Sequence, residues 1–174
     1  MRLTFRKGER LRHRSLVDKL FREGKSFYDF PLRMIWRMID REALEREFRR
    51  EVPPAIERVQ MLVTVPKKKR KRAVDRVLMR RRIKEAYRLN RMALKDKMED
   101  LADLGTLSVA FIYMHNENLP YATIEKKMRH LLYKLQQNVV GMRETVKQDK
   151  DNVENVEAMP ENIAVSEMKA ETEG

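Results

Sequence analysis

Residues 66–91, PKKKRKRAVDRVLMRRRIKEAYRLNR, hold 13 of the chain's 39 Lys and Arg residues and two acidic ones, Asp75 and Glu85. Six cations run unbroken from Lys67 to Arg72. A second set, Arg80, Arg81, Lys84, Arg88 and Arg91, recurs inside a segment of helical period. Adjacent cations neutralise phosphates and release their counterions. Cations on a rigid helix can follow a phosphate backbone at fixed spacing. The chemistry this implies is polyanion binding, with RNA or DNA the first partner to consider. The bland alternatives are a solvated linker or localisation-type patch for the run, and a solvent face for the stripe. An ordinary solvent face mixes signs through i,i+4 pairs. Here Glu85 is the one counter-charge before Asp96.

Catalysis by the chain's own side chains would need clustered carboxylates or histidines. His13, His115 and His130 show no ligand spacing, and the acidic residues of 40–57 alternate with arginines, as on a salt-bridged helix face. No catalytic or metal-ligating residue is therefore expected. The aromatics Phe27, Tyr28, Phe30 and Trp36 can stack single-stranded bases beside a basic surface. They can equally fill a small core, and Trp36, in register with Leu32 and Met34, reads as core.

These residues need a scaffold. Ser15 to Glu23 reads as a short helix capped by Ser15 with Asp18 and closed by Gly24, with Leu16 and Leu20 on its apolar stripe. Phe30 to Ile39 alternates like a strand, Leu32, Met34 and Trp36 one way, Arg33, Ile35 and Arg37 the other. Residues 40–58, stopped by Pro53-Pro54, read as an exposed charged insertion of one or two helical turns. Val59 to Val65 is a β-branched strand ended by Pro66. A long helix is expected from about Ala73 to Asp100. Met79, Ile83, Ala86, Tyr87, Asn90 and Leu94 lie on one face and the basic stripe opposite. Leu107 to Met114 is a buried strand opened by Gly105. Pro120 introduces a final helix with Ile124, Met128, Leu131, Leu132 and Leu135 on one face. The order α, β, insertion, β, α, β, α implies a two-layer α/β sandwich.

Composition sets bounds on this reading. Of 174 residues, 38% are charged and 7% aromatic, so the core is modest. The net charge of +12 is uneven: Glu144–Gly174 carries nine acidic and three basic residues, which leaves +18 on 1–143. Two parts are expected, a domain over 1–140 and an acidic, disordered tail over 141–174. The tail is expected to compete with nonspecific RNA for the basic face. The absence of cysteine fits a reducing cytosol. The N-terminus lacks a secretory h-region, and the longest uncharged stretch, Leu104 to Asn116, is 13 residues, too short to span a bilayer. A soluble, cytoplasmic protein is expected.

The arrangement resembles the protein component of bacterial ribonuclease P. That family has a strand, a Lys-Lys pair, a short basic loop and a helix carrying Arg-Asn-Arg-x-Lys-Arg. Here these are VQMLVTV, Lys67-Lys68, and AVDRVLMRRRIKEAYRL, with Arg76 at the first arginine, Arg80-Arg81 at the Lys-Arg pair, and Lys84, Glu85 and Tyr87 in the usual continuation. ERLRHRSLVDKLFREG looks like the opening helix, with Phe21 and Gly24, and YATIEKKMRHLLYKL like the final one. The likeness covers roughly residues 9–137. Val77 and Leu78 depart from the signature Asn and Arg, and Val17 stands where the family often has an aromatic.

The resemblance implies an α/β (α+β) two-layer sandwich, a small mixed sheet with three helices in an αβββαβα-like order, and a left-handed βαβ crossover. It implies a subunit that binds ribonuclease P RNA and the 5′ leader of precursor tRNA. The RNA would carry out Mg²⁺-dependent endonucleolytic removal of the leader, with Mg²⁺ bound mainly by the RNA. RNA-binding candidates are Lys67, Lys68, Arg70, Arg72, Arg76, Arg80, Arg81, Lys84 and Arg88. Leader-cleft candidates are Arg12, Val17, Phe21 and Trp36. No membrane and no required protein partner is implied. Two other readings stay open: a structural RNA-binding protein of ribosomal or chaperone type, told by co-purification with ribosomal subunits, and a stand-alone metal nuclease, told by cleavage without RNA.

Overall fold

A computed structural model describes residues 5–48, 56–101 and 104–157. The elements, in chain order, are α1 (Arg14–Glu23), β1 (Lys25–Asp29), β2 (Leu32–Ile39), α2 (Arg41–Glu47), β3 (Val59–Thr64), α3 (Ala73–Asn90), α4 (Met92–Asp100), β4 (Thr106–Tyr113) and α5 (Tyr121–Glu157). The chain divides into two units, 1–140 and 141–174.

In the first unit one mixed sheet has the order β1-β2-β4-β3. β2 pairs antiparallel with β1 and β4, and β3 runs parallel to β4. A parallel neighbour requires a crossover, and α3 and α4 supply it. All eight residues of β4 are buried, as expected for a central strand covered on both faces. Period-2 alternation divides the sheet. Ile35, Ile39, Ala110 and Ile112 face α1, where they cluster with Leu11, Leu16 and Leu20. Leu32, Met34 and Trp36 alternate with Ile35 and so point to the other face, as do Val109 and Phe111 in register with them. The buried Met79, Ile83, Ala86 and Tyr87 of α3 supply apolar residues to the remaining core. So do Ile124, Met128, Leu131, Leu132, Leu135 and Val139 of α5.

Several expectations need correction. The strand expected from Phe30 begins at Leu32, and a further strand, β1, precedes it: an edge strand of sequence KSFYD carries too weak an apolar alternation to be read from the sequence. α1 starts at Arg14 with His13 at the N-cap and no side-chain cap, so Ser15 and Asp18 form no capping box. Gly24 closes α1 in extended backbone (φ −70°), not by left-handed geometry. Glycine is needed there because a Cβ would meet the Leu20 carbonyl at 2.3 Å and Ile35 Cγ2 at 2.6 Å. Gly105 does take the left-handed region, φ 94°, to turn into β4.

The first part of the insertion, residues 41–47, is helical but only partly exposed. Asp40 caps α2 through the Ala43 amide, and Arg41–Glu45 and Arg46–Glu42 pair at i,i+4 on its outer side. Leu44 is nevertheless buried in the α1 cluster, and Glu47 pairs with Lys19 of α1. Pro53-Pro54 lies outside the described residues.

The long basic helix is two helices, broken at Arg91. α5 continues past its expected end near Val140 to Glu157, and residues 158–174 lie outside the described residues. Among the described residues no helix is long and apolar enough to cross a membrane.

Candidate nucleic-acid interface

α3 buries one side against the core and presents Arg80, Arg81 and Lys84 on another. These three make no ion pair with the described residues. The Lys84 ammonium is held below the usual lysine range, first by partial desolvation and then by the neighbouring Arg10 and Arg80 charges. A lysine in that condition gains from an anion beside it. Arg81, Lys84 and Arg88 line a depression of about 540 Å³ whose other wall holds Arg10, Phe5 and Tyr121. Arg10 was not among the sequence candidates. Its signal lies in its tertiary neighbours, not in local spacing.

The remaining stripe members behave differently. Arg88 donates to both Glu85 carboxylate oxygens, at 2.8 and 2.6 Å, so part of its charge is spent within the helix. Arg91 leaves the stripe altogether. It follows Tyr87 by one turn, on the inward side, and is buried against the Glu9 carboxylate. Asn90, expected in the core, is half-buried and donates to the Ala86 carbonyl.

The basic loop is built, not slack. Its amides at Lys69 and Arg70 donate to the Pro66 carbonyl, both at 3.0 Å. Arg70 donates to the Asn116 carbonyl and pairs with Asp75 at 2.8 Å, while Asp75 accepts from Asn118 at 2.8 Å. Arg76 reaches back to the carbonyls of Arg70 (3.0 Å) and Lys71 (2.5 Å). Arg70 and Arg76 therefore shape the loop, whereas Lys67, Lys68 and Arg72 are exposed on it. The loop walls a hollow of about 510 Å³. Replacing Arg76 with alanine should raise amide hydrogen exchange across 67–72 while α3 stays protected. Unchanged exchange would show the loop is ordered without it.

Of the cleft candidates, Arg12 is exposed, Val17 half-buried and Phe21 43% exposed beside the α1 face of the sheet. Trp36 is not there. It is 1% exposed, on the face opposite α1, stacked 6.4 Å from Phe27. Among the described residues no three acidic or histidine side chains gather to hold a metal ion.

A small α+β sandwich with a rigid cationic helix face and a braced basic loop defines a polyanion-docking class of protein. Comparison with known proteins narrows it. Residues 5–136 match the ribonuclease P protein family, and the chain belongs to that family. It is 35% identical over 133 residues to ribonuclease P protein components from two strains of Porphyromonas gingivalis, covering 76% of this chain and 87% of each relative. The fold is similar to that of the ribonuclease P protein from Thermotoga maritima, with TM-score 0.50 at 20% identity over 72% of this chain and 96% of that one.

Proposed function

We propose that the protein is the RNA-binding subunit of a ribonuclease P holoenzyme acting on precursor tRNA. α3 and the basic loop dock the catalytic RNA. The cleft between α1 and the sheet, with Arg12, Val17 and Phe21 at its edge, takes the single-stranded 5′ leader. Mg²⁺, held mainly by the RNA, supplies the chemistry of phosphodiester cleavage. The chain's own residues bind and orient. Arg80, Arg81 and Lys84 hold the RNA backbone, Arg70 and Arg76 keep the loop cations in place, and Arg12 and Phe21 guide the leader. The observation that carries the reading is the cationic face of Arg80, Arg81 and Lys84, which has no ion-pair partner among the described residues, in a chain of this family. Added to a bacterial ribonuclease P RNA, the protein should permit cleavage of precursor tRNA at low Mg²⁺, where the RNA alone is slow. Absence of stimulation would overturn the reading.

A further inference from the structure

The β1–β2 turn carries an exposed aromatic pair that the interface above does not use. Tyr28 is 59% exposed and Phe30 47%. The turn that holds them is firmly anchored. Asp29 accepts from Lys127 of α5 at 2.6 Å and contacts His130, and the Met114 amide donates to the Pro31 carbonyl at 2.8 Å. The Phe30 ring stands edge-on to His115, with centroids 5.0 Å apart.

Tyr28 sits directly across from Arg33 in the β1–β2 register. Both share the face of Ile35, the one α1 covers. Arg33 is exposed and makes no ion pair with the described residues. β3 and β4, being parallel, end at this same edge of the sheet, where Leu32 faces Tyr113 and Thr64 faces Ile112. The basic loop leaves β3 there and is tied to the segment after β4 through Arg70 and Asn116. Two acids flank the turn: Asp29, committed to Lys127 and His130, and Glu117, which faces His115 at 3.9 Å.

We propose that this turn is a base-stacking platform for single-stranded RNA, with Tyr28 and Phe30 as the stacking rings and Arg33 as the phosphate contact. It rests on the reading that the leader lies in the α1 cleft, and assigns the turn to leader nucleotides farther from the cleavage site. Exposed rings on a rigid turn lose little conformational freedom on stacking, and every base offers a π-face, so the platform is indifferent to sequence. The positive surroundings select a polyanion over an apolar protein segment.

The test uses holoenzyme reconstituted with the full chain and precursor tRNAs bearing short or long single-stranded leaders. Tyr28→Leu and Phe30→Leu keep apolar area but remove the π-face. Each should weaken binding of the long-leader substrate on the order of tenfold and leave the short-leader substrate unchanged. Tyr28→Phe should retain wild-type affinity. Equal affinities of the double leucine variant and wild type for the long leader would overturn the platform. A wild-type holoenzyme that does not stimulate cleavage would instead overturn the underlying function. Photo-crosslinking from a thiouridine-substituted leader needs no variant. Crosslinks should reach Tyr28 or Phe30, and crosslinks confined to α1 would overturn the proposal.

Discussion

Replacing Glu9 with glutamine should lower folding stability by about 3–5 kcal/mol, the cost of breaking a buried ion pair by removing the charge of one member. In a chain of this size that corresponds to a fall of roughly 6–20 °C in melting temperature. Glu9 is 1% exposed, and its carboxylate accepts from the Arg6 amide (2.7 Å) and Lys95 (2.9 Å) as well as from buried Arg91. The Arg91 guanidinium also lies over the Phe5 ring at 5.9 Å, and Phe5 meets Tyr87 edge-on at 6.2 Å. This brace secures the segment before α1 to the α3–α4 junction. The same segment covers the edge of β3, with Leu11 donating to the Met61 carbonyl at 3.0 Å. It also places Arg10 beside Lys84. Loss of the carboxylate charge should therefore reduce RNA affinity as well as stability.

The same brace gives a pH dependence of defined sign. Burial raises the Glu9 pKa, but the hydrogen bonds from Lys95, Arg6 and Arg91 outweigh it, and the carboxyl titrates below its ordinary value of 4.5. A group whose pKa is depressed by folding adds stability that is complete above its unfolded pKa and is lost as pH falls through the folded one. Wild type should thus lose melting temperature on acidification below about pH 4.5 more steeply than Glu9→Gln, so the gap between them narrows. A gap that stays constant down to the acid limit would show that Glu9 is not ionised in the fold.

The second large effect is on RNA affinity. The variant with alanine at Arg80, Arg81 and Lys84 should bind ribonuclease P RNA with a salt slope shallower by about two to three units, at roughly 0.7–0.9 per lost phosphate contact. Its thermal stability should hardly change, because these side chains have no ion-pair partner among the described residues to lose. Titration at several salt concentrations reads the slope directly. A slope equal to wild type would mean the stripe faces solvent in the complex. Leu78→Arg gives the converse: Leu78 is 37% exposed, and a cation there should steepen the slope by up to about one unit.

Much of this architecture is written locally in the chain. The i,i+4 stripe of Leu16 and Leu20, the alternation through Leu32–Ile39 and the apolar run of β4 follow from helical and strand periods, because side-chain direction repeats along a single element. The excess of cations in 66–91 is likewise a local property, and so is the order of elements that resembles the ribonuclease P family. What lay beyond reach were relations between distant residues. Arg91 reads as one more surface cation until Glu9, 82 positions earlier, is found against it. Arg70 and Arg76 read only as RNA contacts until Asn116 and the loop carbonyls are seen to hold them in the loop as well. Trp36 belongs to the right strand, but only the placement of α1 on the Ile35 side leaves it on the opposite, buried face. Period and composition determine which residues share a face. Which partner covers that face depends on how the chain closes on itself, and tertiary structure alone decides whether a charge or a ring is spent in the fold or left for RNA.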